Sequence, residues 1–125
     1  MVSVTLDASL SSMSNSNIDD GYSPFFIHYS DSPNLILVSQ SLTGENYASW
    51  SYLIMIALFV KNKLGFINGI IVRPSGDITL FNAWIRSNNI VISWILNSIS
   101  KEISTTLIYL ESAFDIWNYF NERFQ

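Results

Sequence analysis

The sequence predicts an all-α fold, a small bundle of about four helices behind a disordered N-terminal tail. Apolar residues recur at helical spacing in four stretches, near 47–64, 80–98, 101–110 and 113–124. The 49% hydrophobic and 14% aromatic content is ample for a core, and 125 residues suffice for one domain. Short connections with turn-forming residues separate the stretches. Together these observations favour a helical bundle.

Residues 1–24 contain many Ser, Asn and Asp residues, and their apolar residues follow no consistent period. Such a segment cannot bury enough apolar surface to offset the entropy lost on ordering, so we predict a disordered tail. The domain is expected to occupy residues 25–125, beginning with an apolar cluster at 25–27 that docks on the body. A short extended segment is expected near 35–39, because the apolar run there is too short for a helix.

The first predicted helix, near 47–64, is the most strongly patterned stretch of the chain. Asn46 is its expected N-cap, with a side-chain oxygen that accepts a backbone N–H two or three residues on. Lys61 and Lys63 suit the negative end of the helix dipole, and Gly65 is expected to end the helix in the left-handed conformation. Two apolar stripes run along the helix, which is typical of a central helix. The stripes consist of Tyr47, Trp50, Ile54, Ala57 and Leu58, and of Leu53, Ile56 and Val60.

The three later helices follow a loop that contains Gly69 and Pro74. Ser100 is expected to cap the third helix, and Ser112 with Asp115 resembles a capping box at the start of the fourth. Each of these helices has apolar residues at core-facing positions. In chain order they are Phe81, Trp84, Val91, Trp94 and Ile95, then Ile103, Leu107 and Leu110, and finally Ala113, Ile116, Trp117, Phe120 and Phe124.

Charge and cysteine content exclude several classes of function. The net charge is −4 and only 13% of residues are charged, so the chain lacks the basic footprint expected for direct nucleic-acid binding. The absence of cysteine excludes disulfide scaffolds and thiolate zinc sites. The apolar run 52–60 falls short of the ~20 residues that span a membrane, and the N-terminus does not resemble a signal peptide. We therefore expect a cytoplasmic protein without a membrane span.

The reactive residues predict no catalytic site. His28 is the only histidine, so neither a histidine metal site nor a Ser-His pair has a second candidate. Four carboxylates fall near helix beginnings or on solvated faces, where they favour the helix dipole or solubility. They belong to Glu102, Glu111, Asp115 and Glu122. We therefore predict a non-enzymatic protein with no cofactor, no metal and no small-molecule substrate.

Several short motifs occur in a distinctive order and spacing. LTGENYASW occupies residues 42–50 and GFING occupies residues 65–69, and tryptophans follow at helical positions. The positions concerned are Leu42, Gly44, Asn46, Tyr47, Trp50, Leu58, Gly65, Phe66, Ile67, Gly69, Pro74, Trp84, Val91, Trp94, Ala113, Trp117 and Phe124. In this arrangement the chain resembles the N-terminal Gag region of plant copia-type LTR retrotransposons, a capsid-related domain, over about residues 24–125.

The resemblance implies a structural module that takes part in capsid-like particle formation and associates with itself or with other Gag segments. In family members further Gag helices, a zinc knuckle and enzyme domains follow. The chain is therefore expected to be a fragment or a decayed copy, truncated at its C-terminus. The alternative that remains open is a host-used protein-binding module, which binds a partner or interferes with Gag assembly.

The chain departs from the family pattern at three positions of the first helix. It has Tyr52, Met55 and Phe59 where family members usually carry basic or small residues. Large apolar side chains at positions that would otherwise be solvated enlarge the exposed apolar patch. We therefore expect the surface of this helix to be prone to aggregation or to depend on a partner.

Overall fold

The computed structural model describes residue 18 and residues 20–125 of the chain. Over these residues it contains five helices and no strand, which confirms the predicted all-α class. The predicted tail lies mostly outside the described residues, and residues 20–24 within it form hydrogen-bonded turns. The helices are α1 (Tyr47–Val60), α2 (Gly65–Asn68), α3 (Ile78–Leu96), α4 (Lys101–Ser104) and α5 (Ala113–Phe124).

α1 ends before the predicted boundary at residue 64. Asn62, with a φ of 58°, adopts the left-handed conformation that was expected at Gly65, and asparagine tolerates this conformation better than most residues. The N–H groups of Asn62 and Lys63 donate to the carbonyls of Phe59 (3.0 Å) and Leu58 (2.8 Å). These are the two hydrogen bonds of a Schellman motif, which ends the helix. The predicted role of Gly65 is therefore wrong, and this residue begins α2.

The side chain of Asn46 orders the loop before α1 instead of capping the helix. Asn46 is the N-cap residue, but it makes no side-chain bond to α1. Its Oδ1 accepts a hydrogen bond from the Thr43 N–H at 3.0 Å, and its Nδ2 donates to the Ser41 carbonyl at 3.0 Å. The predicted cap bond is wrong because the loop, with its own unpaired backbone groups, uses both ends of the amide.

The two long later helices are capped by acidic or hydroxyl side chains. α3 covers Ile78–Leu96 instead of the predicted 80–98, because the Asp77 carboxylate accepts from the Leu80 N–H (3.1 Å) and starts the helix earlier. Of the capping box predicted at the start of α5, the Ser112 half is confirmed, since the Ser112 hydroxyl accepts from the Asp115 N–H at 3.1 Å.

The third predicted helix, over 101–110, is reduced to the single turn of α4. Directly after it, the hydroxyl of Thr105 donates to the Glu102 carbonyl (3.0 Å) and that of Thr106 to the Ile103 carbonyl (2.7 Å). Threonine side chains that bond to nearby carbonyls compete with the helical hydrogen-bond pattern. The chain then continues in turns up to the start of α5.

The extended segment expected near 35–39 does not form a strand. The β-type pairing seen in residues 20–125 is a single parallel bridge between Leu42 and Ile99. The Leu42 N–H donates to the Ser98 carbonyl at 2.8 Å, and the Ser100 N–H donates to the Leu42 carbonyl at 3.0 Å. This bridge joins the loop before α1 to the segment that follows α3.

The core is built around stacked aromatic rings from α1 and α5. Trp50 lies with its ring centroid 5.7 Å from that of Trp117 in a stacked arrangement, and it meets the edge of Phe120 at 5.4 Å. The Trp50 indole N–H donates to the Ser98 carbonyl at 2.8 Å, so its polar group is satisfied. The buried tryptophans are Trp50, Trp84, Trp94 and Trp117.

An irregular N-terminal arm, residues 20–38, is fastened to the helices by side-chain donors. The partly buried side chains of Phe25 and Ile27 pack against the core, as expected for this cluster. Most of the fastening bonds end on arm carbonyls, so they do not depend on the arm's own side chains. The donor–acceptor pairs include Lys63–Phe26 (2.6 Å), Ser87–Phe25 (3.1 Å), Trp94–Ser32 (2.7 Å), Asn97–Pro33 (2.7 Å) and the ion pair Lys61–Asp31 (2.7 Å).

Lys63 is buried beneath this arm, with 1% of its surface exposed. The sequence placed it at the C-terminal end of the first helix, where its charge suits the helix dipole, and did not indicate its burial. Burial lowers its pKa from 10.5 to about 8, and the neighbouring Lys61 acts in the same direction, whereas Asp31 opposes the shift. The ammonium is tolerated because it donates to the Phe26 carbonyl and lies near the Asp31 carboxylate.

Because Lys63 is buried, the stability of the fold should change with pH in the alkaline range. Between pH 8 and 10.5 the unfolded chain binds a proton at Lys63 that the folded chain has lost. The free energy of unfolding should therefore rise with pH, by roughly 2 kcal/mol between pH 8 and 9.5. Urea unfolding followed by tryptophan fluorescence measures this rise. It should be absent from Lys63→Met and retained in Lys101→Met, which removes an exposed lysine. Equal slopes in the wild type and Lys63→Met would contradict the assignment.

Candidate interaction surface

α1 buries one face and exposes the opposite one. Trp50, Ile54 and Leu58 point into the core at successive turns. From residue 52 onward the exposed residues are all large and apolar, and we call them the α1 outer face; Phe59 and Val60 are 72% and 76% exposed. The α1 outer face consists of Tyr52, Leu53, Met55, Ile56, Phe59 and Val60.

The prediction that α1 is a central helix is wrong. Its second apolar stripe, with Leu53, Ile56 and Val60, lies in solvent. The core residues of α5 cover the Trp50 side of the helix, and among residues 20–125 no element covers the other side. By contrast, Tyr52, Met55 and Phe59 are exposed, as their departure from the Gag pattern predicts.

The α1 outer face is large and uncharged. The 14 residues of α1 include no acidic and no basic side chain, and a helix of this length extends about 21 Å. At the exposures of its six residues, the face presents on the order of 600 Å² of side-chain surface, at the upper end of the ~300–600 Å² found for the largest apolar patch on typical monomers. Patches of this size are often functional, and larger ones mark sites of contact with proteins, membranes or ligands.

A second apolar surface is a groove between the loop after α2 and the segment that leads into α5. We call it the α2–α5 groove. Its volume is about 590 Å³, within the ~300–1,000 Å³ typical of ligand pockets. Phe66 and Trp84 are buried at its base, while Val72 and Tyr109 are exposed at its edge. Its principal apolar lining is Phe66, Ile71, Val72, Trp84, Tyr109 and Phe114.

Arg73 supplies the positive charge of the α2–α5 groove. Its guanidinium lies 5.1 Å from the ring centroid of Trp84 and 5.9 Å from that of Phe81, in cation–π contacts. No carboxylate pairs with it among residue 18 and residues 20–125. Glu111 and Asp115 also line the groove, from the segment that leads into α5.

The side chains in the described part of the chain form no cluster of metal-ligand type. Residue 18 and residues 20–125 contain no group of three or more His, Cys, Asp or Glu side chains that could hold a metal ion. His28 is exposed and meets the edge of Phe26 with ring centroids 4.6 Å apart. The carboxylates considered from the sequence are all exposed as well.

The glycines of the GFING motif have steric roles that sequence reasoning did not identify. A Cβ at Gly65 would lie 2.5 Å from the Ile71 side chain, and one at Gly69 would lie 2.9 Å from the Phe114 ring. Gly69 also has a φ of 86° and ends α2. The motif therefore allows the chain after α2 to fold closely over the helix and lets α5 approach it, which forms one side of the α2–α5 groove.

The other motif positions divide between core and loops. Gly44, with a φ of 103°, lies under the Phe124 ring, 3.3 Å from the position a Cβ would take. Asn46 orders the loop before α1, and Pro74 is half-buried in the loop before α3. The remaining members are buried. They are Leu42, Tyr47, Trp50, Leu58, Phe66, Ile67, Trp84, Val91, Trp94, Ala113 and Trp117.

The fold and its surfaces define a class: a small all-α domain that exposes apolar surface suited to protein contact. Residues 28–75 match the family model of the Gag-polypeptide of LTR copia-type. The resemblance to copia-type Gag is thus confirmed for this stretch, from the N-terminal arm to the loop before α3, and it supports a role related to retrotransposon Gag. Over the rest of the chain it stays a prediction. No curated protein and no solved structure is significantly similar to the chain.

The helices in the described part of the chain are all too short or too polar to cross a lipid bilayer.

Gly69 and Gly76 provide a matched pair for testing the steric role of the motif. Both have a φ of 86°, but a Cβ at Gly76 meets nothing within 4 Å. Alanine at either site should lower the free energy of unfolding by ~1–2 kcal/mol, because a residue with a Cβ is strained in the left-handed conformation. Gly69→Ala should lower it by about 1 kcal/mol more, because its Cβ would be overpacked against Phe114. Thermal and urea unfolding measure both values.

The double variant Gly69→Ala/Phe114→Ala separates packing from backbone strain. Removal of the Phe114 ring should abolish the extra cost of Gly69→Ala relative to the Phe114→Ala parent. An equal loss of stability in Gly69→Ala and Gly76→Ala would show that Phe114 does not constrain this glycine.

Proposed function

We propose that the chain is a non-enzymatic structural module that assembles with further copies of itself into capsid-like particles, with the α1 outer face as a contact surface. The observation that carries this proposal is the exposure of six large apolar residues on a helix without a single charge. The match of residues 28–75 to copia-type Gag supports the same function, because Gag domains are structural rather than catalytic.

The size of the α1 outer face suits a weak, repeated contact. If each of two partners buries on the order of 600 Å², the interface is close to the lower limit of ~1,200–2,000 Å² for stable specific interfaces. The cost of association offsets much of the gain from burial. Such contacts form at high local concentration and reverse readily, as assembly from many identical subunits requires.

The absence of charge from α1 gives the contact a distinctive salt response. No like charges on this helix oppose its approach to an apolar surface. Apolar burial is weakened little by salt and is strengthened by strongly hydrated anions such as sulfate. Association through the α1 outer face should therefore persist in salt concentrations that dissociate charged contacts.

Replacement of Phe59 by lysine tests the proposal. Phe59 is 72% exposed in the single chain, so Phe59→Lys should change the free energy of unfolding by less than about 0.5 kcal/mol. In a buried contact the charge must be desolvated, which should weaken self-association by roughly tenfold to a hundredfold. Sedimentation velocity over a concentration series measures the association. Asn82→Lys, at an exposed position of α3, is the matched control.

Two results would count against the proposal. One is a well-folded wild-type protein that stays monomeric at high concentration. The other is a Phe59→Lys variant that associates as strongly as the wild type.

Co-expression with a full-length copia-type Gag separates assembly from the host-used binding module. An assembly module should enter the particles in amounts that fall for Phe59→Lys. A protein that neither enters nor perturbs particles would favour the independent binding module instead.

A further inference from the structure

We propose that the α1 outer face of one copy docks into the α2–α5 groove of the next copy, so that the contact is head-to-tail. This inference rests on the proposed function and names the surface that receives α1. It contrasts with a two-fold contact, in which the same face of α1 would meet itself.

The donor surface has the spacing with which helices enter grooves. Tyr52, Met55, Ile56 and Phe59 lie at positions i, i+3, i+4 and i+7 of α1, and all four are exposed. This is the spacing of the anchors that an amphipathic helix places in a hydrophobic groove. A concave surface can receive such a row of protruding side chains.

The acceptor surface has the matching shape and chemistry. The α2–α5 groove offers about 590 Å³, enough to receive the ends of the few side chains that one helix presents. Its base is aromatic, and its edge residues Val72 and Tyr109 are 70% and 84% exposed. Burial of these side chains removes apolar surface from water on both partners.

The two surfaces share no residue, so one copy can use both at once. α1 contributes nothing to the lining of the groove. Each copy therefore carries one donor and one acceptor, and occupation of one leaves the other free. Head-to-tail contacts of this kind generate rings or open chains instead of closed dimers, which gives a route from monomer to large assembly.

One pair of opposite charges lies next to the two surfaces, Glu45 beside α1 and Arg73 at the groove. Glu45 is exposed next to Asn46, the N-cap residue of α1, and no ion pair involves it among residue 18 and residues 20–125. Arg73 lies at the groove, stacked on Trp84 without a carboxylate partner in the same part of the chain. A docked α1 with its N-terminal end towards Arg73 would pair these two groups. The uncharged body of α1 does not oppose Glu111 or Asp115.

A mixing experiment distinguishes this arrangement from a two-fold contact. Phe59→Lys impairs the donor, and Val72→Lys impairs the acceptor at an exposed position whose substitution should not unfold the chain. Each variant alone should be monomeric at concentrations where the wild type forms large species. Mixed in equal amounts, they should form a 1:1 dimer that grows no further, because the intact α1 of one variant fits the intact groove of the other.

Sedimentation velocity with one variant fluorescently labelled measures the mixed dimer, and circular dichroism verifies that each variant is folded. Two results would overturn the head-to-tail arrangement: a Val72→Lys variant that associates like the wild type, or a mixture that stays monomeric. Neither result would contradict the proposal that the wild type associates with itself. A wild type that stays monomeric would overturn the proposed function, and this inference with it.

Charge exchange provides an independent test of the orientation of α1 in the groove. Glu45→Arg and Arg73→Glu should each weaken wild-type association by about threefold to tenfold. The double variant Glu45→Arg/Arg73→Glu should recover most of the loss, because every contact then pairs the exchanged charges. Additive losses in the double variant would contradict the proposed pairing of these residues.

Discussion

The burial of Trp50 fixes the rotation of α1 about its own axis, and the exposed surface of the molecule follows from that rotation. Trp50 stacks on Trp117, meets the edge of Phe120 and donates its indole N–H to the Ser98 carbonyl. The hydrogen bond requires one position and one orientation of the ring, whereas apolar packing alone would allow several. A helix turns about 100° per residue, so once Trp50 points inward, Tyr52 and Phe59 must point outward.

The N-terminal arm adds a second constraint, at the other end of the same helix. Lys61 and Lys63 follow α1 directly and hold the arm through Asp31 and the Phe26 carbonyl. A buried ammonium is costly unless it is hydrogen-bonded and has an opposite charge nearby. The arm supplies both, so the lysine and the arm stabilise each other's position. The start of α1 is fixed by the Asn46 side chain and the Leu42–Ile99 bridge, so both ends of the helix are held.

The sequence predicted those features that depend on local pattern. α5 has the predicted bounds and its Ser112 cap, because the helical period and the cap residue are both local properties. The all-α class followed from the same periodicity. The exposed Tyr52, Met55 and Phe59 followed from their departure from a family pattern. The first two features depend on interactions within a few residues along the chain, whereas the third was predicted from a comparison with a family pattern.

Features decided by contacts between distant segments could not be predicted in this way. Both stripes of α1 are apolar, so periodicity alone cannot choose the buried one, and the choice depends on Trp117 in α5. The burial of Lys63 depends on an arm almost forty residues earlier in the chain. Gly65 resembled a helix stop because the sequence does not reveal that Ile71 folds back over it. The α2–α5 groove was missed for the same reason, since its two sides come from separate segments.

The stretch that matches the Gag family is shorter than the folded domain, so it lacks some of the residues that stabilise it. The matched residues 28–75 contain α1, α2 and the 69–73 side of the groove. They do not contain Trp117 and Phe120, which cover Trp50, or the 109–115 side of the groove. In isolation this stretch would expose Trp50 on one face of α1 and Phe59 on the other, and a helix of 14 residues has little stability of its own in water. The recognisable part of the chain therefore depends on α3 to α5 for its fold, and the surface available for assembly is the part of α1 that those helices leave uncovered.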